Sequence, residues 1–441
     1  MPKLTFISAI LAFALALPAP RLQAAPGAFY IAPDGVDTNP CTLTAPCLTF
    51  PRAAGLAQPG DTVYLRAGAF YPRNEWIISA RNTITITAYP ADIANGFERP
   101  ILDATYAALG PTDNVLYLTN VQTVTVSHIE IRNSTGRGVS TSGSARNVTF
   151  HRMTIHDIGE RCVGLVGSYI TLDSSHAYNC AMNWQNYTGS GGWPGGVASW
   201  WKSANVTRSD HVAVVNSLVQ WVWGEGIICL HVDYCAVLNS AIFDSKSVGL
   251  YIDDAQNVTV DSLLLNMRDP AYKKNGVRFA HGVEIGNEGG TRAMTGITVT
   301  NSYIIGADNG IYFFCFAPTC GYGDLTIANN RIDGRSYSVK INTADSVTGT
   351  NIMAGNAYSG TFQISQLQFW NVANNAVSAP ATLTPTPTIT PTPTVTRTPT
   401  LTASPTVTPT KTPTPTNTPV WVMLCSTAPV YLGAGAWACF E

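Results

Sequence analysis

Charge is scarce in this 441-residue chain: 12% of residues are charged and the formal net charge is −2. A nucleic-acid partner needs a basic surface, so the balance argues against one. Long apolar runs are missing beyond the first twenty residues, which leaves no other segment able to span a bilayer. The ten cysteines include no CxxC spacing and no cysteine–histidine cluster, which argues against a structural zinc. Long helical periodicity is absent too. What the chain has instead is glycine, threonine, asparagine, serine, valine and isoleucine, a composition of strands and turns.

The N-terminus, MPKLTFISAILAFALALPAPRLQAAPG, places Lys3 ahead of an apolar run from Leu4 to Leu17, then the small residues Ala24 and Ala25. This reads as an export signal over residues 1–25. Cysteine usage agrees with export. The cysteines fall in neighbouring couples, Cys41/Cys47, Cys162/Cys180, Cys229/Cys235, Cys315/Cys320 and Cys425/Cys439, and local disulfides are the simplest pairing. Residues 379–419 are a Thr-Pro repeat that blocks helix and sheet ladders. As polyproline II it makes a spacer on the order of 100 Å. Residues 420–441 form a small cysteine-containing segment, a disulfide-closed module or a means of surface attachment.

Residues 26–378 read as one repeating unit. A glycine followed by an aliphatic residue recurs at Gly138, Gly164, Gly196, Gly226, Gly249, Gly282 and Gly310, in steps of 26, 32, 30, 23, 33 and 28 residues. Alternating strand signals such as NVTFHRMTIHD and NVTVDSLLLNM lie between them. A self-similar period of that length is a solenoid, whose coils bury Val, Ile and Leu and stack about 4.8 Å apart.

The block AFYIAPDGVDTNPCTLTAPCLTFPRAAGLAQPGDTVYLRAGAFY has a first strand, FYIAP, a Gly/Asp/Asn loop, a short helix at about Phe50 to Ala57, and PGDTVYLRAG. It resembles the opening of secreted right-handed parallel β-helix proteins of the pectate-lyase-like superfamily, over about residues 28–375. The resemblance implies an all-β, single-stranded right-handed parallel β-helix with a short N-terminal helix capping its open end. It leaves the reaction open, because that superfamily holds lyases, hydrolases, epimerases and non-enzymatic surface proteins.

If the aliphatic residue after each glycine points inward, the positions two and four beyond it point out. Successive coils then present Ala198 and Trp200, Ile228 and Leu230, Tyr251 and Asp253, Glu284 and Gly286, with Lys202, His231, Asp254 and Glu288 just past the strand ends. Polar and aromatic side chains thus gather between about Trp193 and Glu288. Asp253, Asp254, Glu284 and Glu288 are an oxygen-rich set suited to Ca²⁺, and pectate lyases of this kind use calcium to hold uronates. The competing reading of Asp253-Asp254 is a turn.

Lys202 and His231 are candidate bases for β-elimination at a uronate, with Arg278 and His281 behind them. Glu225, close to Trp223, is a candidate acid for a glycosidase pair with Asp253 or Glu284. Trp200, Trp201 and Trp223 are candidate sugar platforms. The expected partner is an extracellular polysaccharide met by a secreted or cell-surface monomer. The lead expectation is lyase action on a uronate-containing glycan; hydrolysis in the same groove and a non-catalytic glycan-binding scaffold stand beside it.

Overall fold

The computed structural model describes residues 26–189, 192–202, 207–288, 292–315, 320–341, 346–364 and 367–377, and the backbone of 430–433 and 436–438. The expected signal, the Thr-Pro spacer and the Cys425/Cys439 couple lie outside the described residues.

The chain winds through three long sheets in turn. One described sheet has thirteen strands, beginning at Ala28–Ile31; a second has twelve, beginning at Gly68–Phe70; a third has eleven, beginning at Trp76–Ser79. Each full coil gives one strand to each sheet, and the strands within these sheets pair in parallel with their counterparts one coil away. The result is a parallel β-helix. Alternation explains it locally. In Val248–Asp253, Leu250 and Ile252 lie in the coil interior while Tyr251 and Asp253 point out. The recurrent glycine has a spatial cause. A Cβ on Gly249 would lie 2.9 Å from the Gly282 carbonyl oxygen on the next coil and 2.6 Å from Leu265 Cδ1, so a side chain there would crowd the neighbouring backbone.

Corners are turned by residues in the left-handed region, mostly asparagine, aspartate and histidine, including His231 (φ 50°) and Asp254 (φ 45°). Buried side chains satisfy the backbone at one line of corners. The Asn356 carboxamide oxygen accepts from the Asn330 N–H at 3.0 Å, and its Nδ2 donates to the Ile327 carbonyl at 2.9 Å. The same register is held in earlier coils by Ser175, Ser217 and Ser240. The N-terminal end is covered by the helix Phe50–Leu56, whose first turn is capped by the Thr49 hydroxyl. Phe50 meets Trp76 edge-on at 5.2 Å and closes the interior there. Four disulfides form as the spacing suggested: Cys41–Cys47, Cys162–Cys180, Cys229–Cys235 and Cys315–Cys320.

Candidate active site

The outward faces of the third sheet build the site. Strands Gly195–Ser199, Glu225–Leu230, Val248–Asp253, His281–Asn287 and Asn309–Cys315 lie side by side. Their register stacks Ala198, Ile228, Tyr251, Glu284 and Tyr312 in one row, and Leu230, Asp253, Gly286 and Phe314 in the next. The pairing agrees with the assumed register of the four central coils. Gly286 gives Tyr251 its place, since a Cβ there would lie 3.0 Å from the phenol ring.

Over these rows opens a cavity of about 700 Å³. Its wall includes Glu225, Asp253, Glu284 and Glu288, the cations Arg161, Lys274 and Arg278, and the aromatic rings of Trp193, Trp200, Tyr251 and Tyr312. Glu225 and Glu284 are 8% and 7% exposed, yet neither carboxyl has a hydrogen-bond or ion-pair partner among the described residues. An acid kept for structure would normally be paired. The consequence is a displaced proton equilibrium. Burial above all, then the neighbouring charge of Glu288, pushes Glu284 up to about 8. Burial, then the charge of Glu284, pushes Glu225 well above the ordinary carboxyl range. Asp253 rises only to about 6; burial raises it, and the hydrogen bond it accepts from the Glu288 N–H at 3.0 Å opposes that rise. At neutral pH Glu284 therefore largely keeps its proton while Asp253 is largely ionised, and Glu225 is displaced in the same direction as Glu284. The Tyr251 hydroxyl and Trp193 Nε1, both buried in the wall, also have no partner among the described residues.

The sequence-derived candidates divide. Glu225, His231, Asp253, Glu284, Glu288, Arg278, His281 and Trp200 line the cavity. His281 is neutral, its pKa lowered to about 3 by burial and then by Arg278, and its Nδ1 meets the Asn309 carboxamide nitrogen at 3.0 Å. Lys202 does not join them. It lines a second cavity of about 300 Å³, where its ammonium bonds Asp210 and, at 2.7 Å, the Ser168 hydroxyl. Those two partners hold the amine in the second cavity, and Lys202 does not line the wall that carries Glu225, Asp253 and Glu284. Trp201 lines the second cavity and stacks on His231 at 4.2 Å. Trp223 packs on Tyr272 at 4.5 Å, and does not line either cavity.

Asp254 is the corner and Asp253 the wall. The buried Asp254 carboxylate accepts from Arg208 at 2.6 Å and pairs with His231 Nδ1 at 2.8 Å, and its pKa is lowered by those partners against the pull of burial. It does not line the cavity. Among the described residues no three His, Cys, Asp or Glu side chains are grouped to hold a metal ion. Asp253, Glu284 and Glu288 share the cavity wall while Asp254 is turned to Arg208 and His231, and no step below runs through a metal.

Sequence reasoning missed Arg161 and Tyr312 as wall residues, and reached Lys274 only as one cation of a basic loop that could sit over the groove. Lys274 sits in the basic run RDPAYKKNGVR, a signal pointing to this wall. Tyr312 follows the same glycine register as Glu284, one coil on. Arg161 carries no local signal.

Residues 29–208 match the model of the family described as Pel9A-like, right handed beta helix region. The fold is a right-handed parallel β-helix. Solved structures agree with this β-helix. The catalytic unit of a GH87 α-1,3-glucanase from Streptomyces thermodiastaticus strain HF3-3 is 12% identical, with a TM-score of 0.52 over 74% of this chain and 65% of that one. PfbA, a surface adhesin of Streptococcus pneumoniae, is 10% identical, with a TM-score of 0.51 over 72% of this chain and 84% of that one. Pectate lyase Pel9A is 16% identical over 82% of this chain and 78% of its own, with a TM-score of 0.42. At these identities the likeness concerns the fold alone. No curated protein matches the sequence.

Proposed function

We propose that this β-helix hydrolyses a glycosidic bond of an extracellular polysaccharide in the cavity of the third sheet. One observation carries the proposal: the carboxyls of Glu225 and Glu284 are buried and unpaired among the described residues beside Asp253, inside a wall of aromatic rings. Glycoside cleavage asks for that division of labour. A carboxylic acid gives its proton to the leaving oxygen, and a carboxylate attacks the sugar or activates water. The Glu225–Glu284 pair supplies the proton and Asp253 the charge. Trp193, Trp200 and Tyr251 line the cavity and offer aromatic surface to the sugar.

A second reading is favoured by Lys274 and Arg278 in the same wall. Burial, then the charge of Arg278, lowers the Lys274 pKa, which suits a base, and Arg278 suits a uronate carboxylate. This is β-elimination with Lys274 in the place first given to Lys202 or His231. Product chemistry separates the two. Hydrolysis gives reducing ends alone, whereas elimination adds an unsaturated, ultraviolet-absorbing uronate. In either case the protein acts outside the cell, with residues 1–25 as export signal, 26–378 as the working domain, 379–419 as spacer and 420–441 as a surface attachment. We expect Glu225→Gln, Glu284→Gln and Asp253→Asn each to lower turnover by about a hundredfold or more. Full activity in all three would refute the assignment.

A further inference from the structure

Arg137 and Arg161 hold equivalent places on successive coils. Val139 pairs with Val163, and each arginine lies two residues ahead of that rung. Both guanidiniums reach the ring of Trp200, at 6.0 Å and 4.3 Å from its centroid. Trp200 is also where the two cavities meet, since it lines both. Gly164 makes the room: a Cβ there would lie 2.8 Å from the indole edge.

These two cations have no direct ion-pair partner among the described residues. Neither side chain makes a hydrogen bond or an ion pair with another described residue, and the Nε of each is buried without a partner. They also oppose each other. Burial, then the charge of Arg137, lowers the Arg161 pKa to about 10. The charges of Glu160 and then Glu225 offset this only in part, and no acid among the described residues bonds either guanidinium. Glu75 accepts from the Asn114 backbone and carboxamide N–H groups, Asp113 accepts from the Gly110 N–H, and Glu160 accepts from Trp184 Nε1 at 3.0 Å. The second cavity holds further orphans, the Ser140 hydroxyl and the Asn114 carboxamide oxygen. Two stacked guanidiniums cost stability unless something anionic and multidentate sits on them.

We infer that Arg137 and Arg161 receive an anionic group of the glycan, a carboxylate or a sulfate, on a chain that runs from the acid cavity across Trp200 into the second cavity. This names the substrate class of the proposed site and rests on that site binding glycan. Ser140 and Asn114 then meet hydroxyls of the sugar that carries the anion or of its neighbour. A planar guanidinium fork matches both oxyanions, so chemistry alone does not choose between them.

The test is a binding panel on the intact chain: uronate oligosaccharides, their methyl esters, sulfated oligosaccharides, and their desulfated counterparts. We expect one anionic class to bind at least about tenfold more tightly than its neutral counterpart, with the preference falling as salt rises. Which class wins identifies the anion. Arg137→Ala and Arg161→Ala should each erase about tenfold of that preference, with Arg137→Lys retaining part of it. The variants should melt no lower than the parent, because they remove mutual repulsion; a lower Tm would instead mark the arginines as structural and overturn the inference. So would equal binding of neutral and anionic forms, or no binding of any member. The two proposals fail separately. Cleavage of a neutral glycan with no anion preference would keep the hydrolase and discard the arginine receptor. Arginine-dependent anion binding without cleavage would do the reverse.

Discussion

Glu284 should make the β-helix lose stability as pH rises, an effect readable without any substrate. Its ordinary value is 4.5 and its folded value about 8. The folded state therefore binds the proton more tightly than the unfolded one. Stability from this group is fully present below about 4.5 and is lost as pH climbs through about 8. A displacement of that size is worth at most on the order of 5 kcal/mol. Asp253, raised from 3.8 to about 6, adds a smaller loss with the same sign at the lower end of the window. Glu284→Gln keeps the shape and removes the titration. Urea unfolding of both proteins across the window is the assay. We expect the two to agree near pH 4 and the variant to be more stable by several kcal/mol above pH 8. Parallel stability curves would refute the claim that Glu284 is buried without a partner.

Other perturbations should separate the corner from the wall. Asp254→Asn leaves Arg208 and His231 without their shared carboxylate and should cost about 3–5 kcal/mol in chemical denaturation. Asn356→Leu strips the buried corner ladder of its acceptor and donor and should cost about 2–4 kcal/mol, read as a drop in Tm. Lys246 donates to the carbonyls of Trp184, Gln185 and Tyr187 and lies over the Trp193 ring. Lys246→Met should therefore expose the chain near Trp184 to proteolysis and raise KM more than it lowers kcat, because Trp193 loses its support.

Much of this architecture is legible in the residues themselves. The glycine–aliphatic marks disclose the coil because a side chain at the mark would crowd the backbone of the next coil, as a Cβ on Gly249 would the Gly282 carbonyl oxygen. Cysteine couples disclose the staples because each closes a short loop. The outward row of Ala198, Ile228, Tyr251 and Glu284 follows from alternation once the glycines set the register. What stayed hidden depends on contacts between coils. The partners of Lys202 are Asp210 and Ser168, the latter 34 residues upstream. Trp223 turns to Tyr272 rather than to the cavity. Arg137 and Arg161 lie well before the tryptophan cluster and carry no motif, but register brings them onto Trp200. Asp253 and Asp254 look like a pair in sequence. The left-handed conformation of Asp254 turns the chain at that point, so one acid faces the cavity and the other holds the corner.

The most direct measurement is product analysis after incubating the intact chain with uronate-containing, sulfated and neutral polysaccharides, with and without calcium, beside Glu284→Gln. We expect new reducing ends from at least one anionic polysaccharide, no unsaturated uronate, and a loss of about a hundredfold or more in the variant. Unsaturated products that persist in Glu284→Gln would contradict hydrolysis and put Lys274 in its place. No product from any polysaccharide would contradict catalysis in this cavity altogether.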